Sequence, residues 1–72
     1  MVEAPRSTRQ RRAVSALIAD LDGFSSAQQI HARLVAEGET VGLSTVYRTL
    51  QALADSGEVD ALRADDGETL YR

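Results

Sequence analysis

Three segments of the chain share one pattern: a serine or threonine near the start, apolar residues spaced by three and four, and a glycine at the end. "STRQRRAVSALIADLDG" carries Val14, Leu17, Ile18 and Leu21, "SSAQQIHARLVAEG" carries Ala27, Ile30, His31 and Leu34, and "STVYRTLQALADSG" carries Val46, Leu50 and Leu53. Each predicts one amphipathic helix. The expected N-caps are Ser7 or Thr8, then Ser25 or Ser26, each with a glutamine three residues on, then Ser44 or Thr45; Gly23, Gly38 and Gly57 are the expected stops. Three short stripes of this kind have to bury one another, so the chain is constrained to a small helical core.

After Gly57 the period changes. "EVDALRADDGETLYR" runs into Asp66-Gly67, a dipeptide suited to the positive φ angles of a tight hairpin, and predicts strands near 58–64 and 68–72. With Asp66 and Gly67 as the two turn residues, Leu62 falls opposite Tyr71 as an apolar cross-strand pair. Two strands alone are marginal, so the hairpin must lean on the helices. Helix, helix, helix, hairpin is the order of a winged helix-turn-helix domain, mainly α with a small β wing, expected over residues 7–72, with residues 1–6 as a flexible arm.

At 72 residues there is room for one domain, and with no cysteine neither a disulfide framework nor a cysteine-based zinc site can form within it. No apolar run approaches the roughly 20 residues that span a bilayer. The start, "MVEAPRSTRQRR", has no apolar region behind its charges as a secretory signal would, so a cytoplasmic location is expected. The net charge of −3 argues against a nucleic-acid partner only until its distribution is seen. Residues 1–12 carry Arg6, Arg9, Arg11 and Arg12 against Glu3, net +3, while the other 60 residues set four arginines against ten acids, net −6. The basic cluster reads either as a solvated terminus or as a phosphate-binding surface.

The third helix raises the sharper question, because it opens with Tyr47 and Arg48 side by side. At 100° per residue, Val46, Leu50 and Leu53 fall on one side, Ser44, Arg48, Gln51 and Asp55 nearly opposite, and Tyr47 on the flank. In a helix-turn-helix the second helix of the motif enters the major groove and presents its N-terminal residues to base edges. There an arginine fork can bond guanine O6 and N7, and an apolar edge can meet a thymine methyl. The competing reading is an interaction module whose exposed third helix meets protein; such a face should be apolar or aromatic at its centre, whereas Ser44, Arg48 and Gln51 are polar. No enzyme is expected: there is no cysteine nucleophile, no phosphate-binding glycine loop, and no histidine placed to activate Ser44 or Ser56. His31 has Leu34 and Val35 at the positions where a second helical ligand would stand, so it reads as a packed or half-exposed side chain.

"GLSTVYRTLQALADSGEV" resembles the recognition-helix segment of the Fur family of metal-responsive bacterial regulators. "STRQRRAVSALI", "FSSAQQIHARLVAEGETVGL" and "ADDGETLYR" match the rest of that family's N-terminal DNA-binding domain in order, and within the family "GEVDALRADDGETLYR" is most similar to the zinc uptake regulators (Zur). The resemblance implies a repressor domain that binds double-stranded DNA. Tyr47 and Arg48 would contact bases, flanked by Ser44, Thr45 and Gln51, while Arg11, with Arg9 and Arg12, would meet phosphate or the minor groove. Helical geometry agrees for Arg9 and Arg12, which face away from the first apolar stripe, and places Arg11 nearer its edge.

Asp60 would be the one ligand this domain gives to a regulatory zinc site at the hinge. Some iron-type members draw a hinge ligand from the loop before helix two, where this chain has Asp22, Gly23 and Phe24, so the zinc type is favoured. Family members continue past the position of Arg72 into a dimerisation domain that supplies the remaining ligands. The resemblance therefore implies a DNA-binding half that is monomeric by itself and binds no zinc alone.

Overall fold

The apolar periodicities become three helices in the computed structural model, which describes residues 6–72: α1 (Arg6–Asp20), α2 (Ala27–Ala36) and α3 (Leu43–Asp55). Three short strands complete it, β1 (Ser25–Ser26), β2 (Ala61–Arg63) and β3 (Thr69–Tyr71). This is a winged helix-turn-helix architecture. Of the expected arm, residues 1–5 lie outside the described residues and Arg6 is already helical. Ser7 and Thr8 therefore stand inside the first turn of α1, and neither precedes it as a cap.

Capping explains where α2 begins. Of the two candidate serines, Ser26 is the cap: its Oγ accepts from the Gln29 N–H at 3.1 Å, and Gln29 Oε1 accepts in return from the Ser26 N–H at 2.9 Å. The reciprocal pair satisfies two backbone donors that the helix cannot. At the other end Gly38 (φ +89°) lets the chain reverse, with the Gly38 N–H donating to the Val35 carbonyl and the Glu39 N–H to the Leu34 carbonyl. α3 ends in the same way, Gly57 bonding back to Ala54 and Glu58 to Leu53. Its start departs from the sequence reading. The N-cap is Gly42, with no side-chain cap, so Ser44 and Thr45 lie within the first turn. Glycine is nearly as good at an N-cap as threonine, and choosing it leaves both hydroxyls on the helix surface.

The stripes meet as their spacing requires. Val14, Leu17 and Ile18 of α1, Ala27, Ile30 and Leu34 of α2, and Val46, Leu50 and Leu53 of α3 form one buried cluster, closed by Val59 and Tyr71. Leu21 and Val41 pack at its edge. His31 does not join the cluster fully; its Nε2 donates to the Val41 carbonyl at 2.8 Å and ties α2 to the turn before α3.

The sheet differs from the expected hairpin in two ways. It has three antiparallel strands in the order β1-β3-β2, and the register pairs Leu62 with Leu70 and Ala61 with Tyr71. The loop is one residue longer than the sequence reading allowed. Gly67 N–H donates to the Ala64 carbonyl and Ala64 N–H to the Glu68 carbonyl, so Asp65, Asp66 and Gly67 form a three-residue turn with only Gly67 at positive φ. A one-residue slip exchanges the two faces of a strand. Tyr71 consequently turns into the core and Leu62 to the outer face, 1% and 51% exposed respectively. β1 escaped the sequence reading because two serines carry no alternation to detect.

Candidate nucleic-acid interface

The burial of Val46, Leu50 and Leu53 fixes the rotation of α3, and with it what the helix offers outward. Ser44, Arg48, Gln51 and Asp55 are exposed, Thr45 is half-buried, and Tyr47 is 42% exposed on the flank. The outward face therefore has Arg48 at its centre and two different borders.

On one border α3 faces α1 across an open groove. Thr8, Gln10 and Arg11 line it from α1, and Thr45, Arg48, Thr49 and Ala52 from α3. Among the described residues the lining contains two guanidinium groups, Arg48 and the Glu58-paired Arg11, three threonine hydroxyls and no acid. Such a surface suits an anionic partner that accepts hydrogen bonds. From sequence Thr8 reads only as a cap, and Gln10 and Thr49 are not singled out. Thr49 lies one helical turn from Thr45, but the approach of α1 is a tertiary fact with no local signature.

Arg11, on the groove side of α1, also has partners within the protein. Its guanidinium pairs with the Glu58 carboxylate and donates to Ser56 Oγ at 3.3 Å, joining α1 to the C-terminal end of α3. Ser56 Oγ also lies 2.7 Å from the same carboxylate. The Ser56 hydroxyl first, and then the Arg11 guanidinium, hold the Glu58 carboxyl below the usual glutamate range, since both bond its charged form. Arg9 and Arg12 are exposed on the side of α1 away from the core, as the helical spacing predicted.

The other border of the α3 face meets the sheet. The Tyr71 hydroxyl, behind this border in the core, is buried without a hydrogen-bond partner among the described residues. Burial pushes this phenol above the ordinary tyrosine value; proximity to Tyr47 adds to the rise and the Gln51 amide opposes it.

The wing tip carries Asp65, Asp66 and Glu68, with Asp66 Oδ1 accepting from the Glu68 N–H at 2.9 Å. Its charge repels phosphate. Asp60 pairs through its backbone with Arg72, N–H to carbonyl in both directions at 2.9 and 3.0 Å, leaving its carboxylate exposed. Among the described residues no group of three His, Cys, Asp or Glu side chains converges on a point where a metal ion could sit. A closed zinc site needs about four ligands, so these residues do not fit one by themselves. No helix among the described residues is long and apolar enough to cross a membrane.

The ferric uptake regulator family model matches residues 3–72. The zinc uptake regulation protein of Mycobacterium tuberculosis is 58% identical over 67 residues, covering 93% of this chain and 52% of the relative. The crystal structure of FurB from M. tuberculosis, a zinc uptake regulator, superposes with a TM-score of 0.89 at 58% identity over 93% of this chain and 52% of that one. The ferric uptake regulator of Vibrio cholerae shares the fold, with a TM-score of 0.82 at 23% identity, covering 99% of this chain and 53% of that one. The chain thus spans about half the length of the relatives it matches.

Proposed function

From the membership of this chain in the ferric uptake regulator family, we propose that residues 6–72 are the DNA-reading domain of a metal-responsive transcriptional repressor of the zinc type, acting in the cytoplasm. The observation that carries the reading is Arg48 at the centre of the exposed face of α3, beside a groove shared with α1 that no acid lines among the described residues. In the major groove its guanidinium forks onto guanine O6 and N7, and the Tyr47 ring edge meets a thymine methyl. Ser44, Thr45 and Gln51 flank this pair. Arg9 and Arg12 meet phosphates and set register without reading sequence. Arg11 acts from behind, holding α1 against the end of α3 through Glu58. The acidic wing tip stays clear of the backbone.

A protein-docking role for the same face gains no support, because its centre is polar and charged. For metal sensing, Asp60 contributes one ligand to a site whose other ligands lie outside this chain. Residues 6–72 alone behave as a monomer that does not respond to zinc. With only a few arginines toward phosphate and a net charge of −3, binding is weak, within about 10⁻⁴ to 10⁻⁶ M at physiological salt. The test is selection of this chain at low salt against a randomised duplex library. Enrichment of a short G-containing motif is the expected outcome; recovery of unenriched sequence at every round overturns the reading.

A further inference from the structure

The first turn of α3 presents the reading side chains, yet it lies ahead of the helix's anchor in the core. Val46 is the first fully buried residue of α3, and none of residues 43–45 is buried. Residues 37–42 lead into that turn from α2, and the last of them, Gly42, is an N-cap without a side-chain bond. Gly42 is exposed, with open space where a Cβ would stand, so the joint at the helix entry is a permissive one. His31 reaches across to it. From the middle of α2 its Nε2 lies 2.8 Å from the Val41 carbonyl, and the next carbonyl along, that of Gly42, accepts from the Val46 N–H at 3.1 Å. Two successive peptide oxygens are thus held, one by α2 and one by α3. We infer that His31 is a positioning residue for base reading, clamping the peptide between Val41 and Gly42 so that the first turn of α3 keeps one orientation; this rests on the DNA-reading role proposed above.

A carbonyl only accepts, so the ring nitrogen that faces it carries a proton, and neutral His31 is the Nε2–H tautomer. Filling the core does not require a histidine here. His31 is half-buried beside the fully buried Ile30 and Leu34, and a leucine in its place would supply apolar area but no donor. The consequence for DNA follows from geometry. An arginine fork on guanine makes two bonds at once, so a tilt of the turn that carries Arg48 forfeits one of them. Without the clamp the productive orientation is occupied only part of the time, and affinity for the preferred sequence falls by that fraction. Random DNA needs no such alignment, and Arg9 and Arg12 stand on α1, which the joint does not carry.

The experiment compares wild type, His31→Leu, His31→Gln, Arg48→Ala and the double variant His31→Leu with Arg48→Ala. Each is titrated at low salt, well below its melting midpoint, with the duplex enriched by selection and with a random one. His31→Leu should lower the ratio of the two affinities about two- to tenfold, as the loss of one orienting hydrogen bond would, with the salt slope unchanged. His31→Gln, whose Nε2 donates from a similar distance along the side chain, should restore most of the ratio. In the Arg48→Ala background His31→Leu should have a smaller effect than in wild type. Nitrogen-15 spectra of the wild type should show a proton on His31 Nε2. A wild-type ratio in His31→Leu, an equal loss on random DNA, a glutamine variant no better than leucine, or an undiminished effect in the Arg48→Ala background overturns the positioning role. An Nε2 without a proton does so whatever the variants show. If His31→Leu does not fold, His31→Phe, a ring without the donor, takes its place under the same criteria. An Arg48→Ala ratio identical to wild type instead overturns the DNA reading and this inference with it.

Discussion

Replacing Leu50 with alanine and, separately, Leu62 with alanine separates a core residue from one that the register turns outward. Leu50 is 0% exposed, among residues from all three helices, and Leu62 is 51% exposed on the outer face of the sheet. Leu50→Ala removes three carbons from a closed site, a transfer loss of about 2.4 kcal/mol at about 0.8 kcal/mol per methylene. The cavity left between helices raises the cost to about 3 to 5 kcal/mol. For a chain of this size the whole stability is roughly 4 to 11 kcal/mol, so the variant should be near the edge of unfolding at ambient temperature. Its melting temperature should drop by at least about 12 °C, at about 4 °C or more per kcal/mol.

Leu62→Ala, losing about half as much burial and leaving no closed cavity, should cost about 1 kcal/mol or less. Thermal and urea melts followed by far-ultraviolet circular dichroism read both values. Equal losses would refute the register, since only a strand shifted by one residue would bring Leu62 to the core face.

Other outcomes follow from single contacts. Ser26→Ala should cost about 1 kcal/mol in urea denaturation by opening the capping box, and Ser25→Ala clearly less, since Ser26 alone caps α2. Because the folded-state pKa of Tyr71 is raised, its contribution to stability is complete below the ordinary tyrosine value and is lost as pH rises through and beyond it. Urea midpoints should therefore fall above about pH 10, and fall less in Tyr71→Phe. Arg12→Ala should weaken binding to enriched and random duplexes alike and lower the salt slope by about one. Arg11→Ala should instead lower the melting temperature and leave the slope intact, since its guanidinium is committed to Glu58.

What was legible in the sequence was whatever leaves a local period. The stripe Val46, Leu50, Leu53 defines the rotation of α3, and from it the exposure of Arg48 and the flank position of Tyr47. The capping serine and the terminal glycines of α2 and α3 were readable for the same reason. The misreadings share a cause. Gly42 competes with Ser44 and Thr45 for one cap, and local sequence does not rank the three. Asp66-Gly67 suits a two-residue turn as well as the end of a three-residue one, and the burial of Tyr71 decides between them. Arg11 meets Glu58 across 47 positions of sequence, and β1 pairs with β3 only once the chain has folded back, so neither contact could leave a local signal.

The central claim, that α3 reads bases through Arg48, is tested most directly by the ratio of affinities for the enriched duplex and a random one, measured for wild type and Arg48→Ala at one salt concentration. The ratio should fall about five- to 150-fold, the equivalent of about 1 to 3 kcal/mol of base discrimination. An affinity loss of the same size on both duplexes, leaving the ratio unchanged, would make Arg48 a phosphate contact and contradict the account.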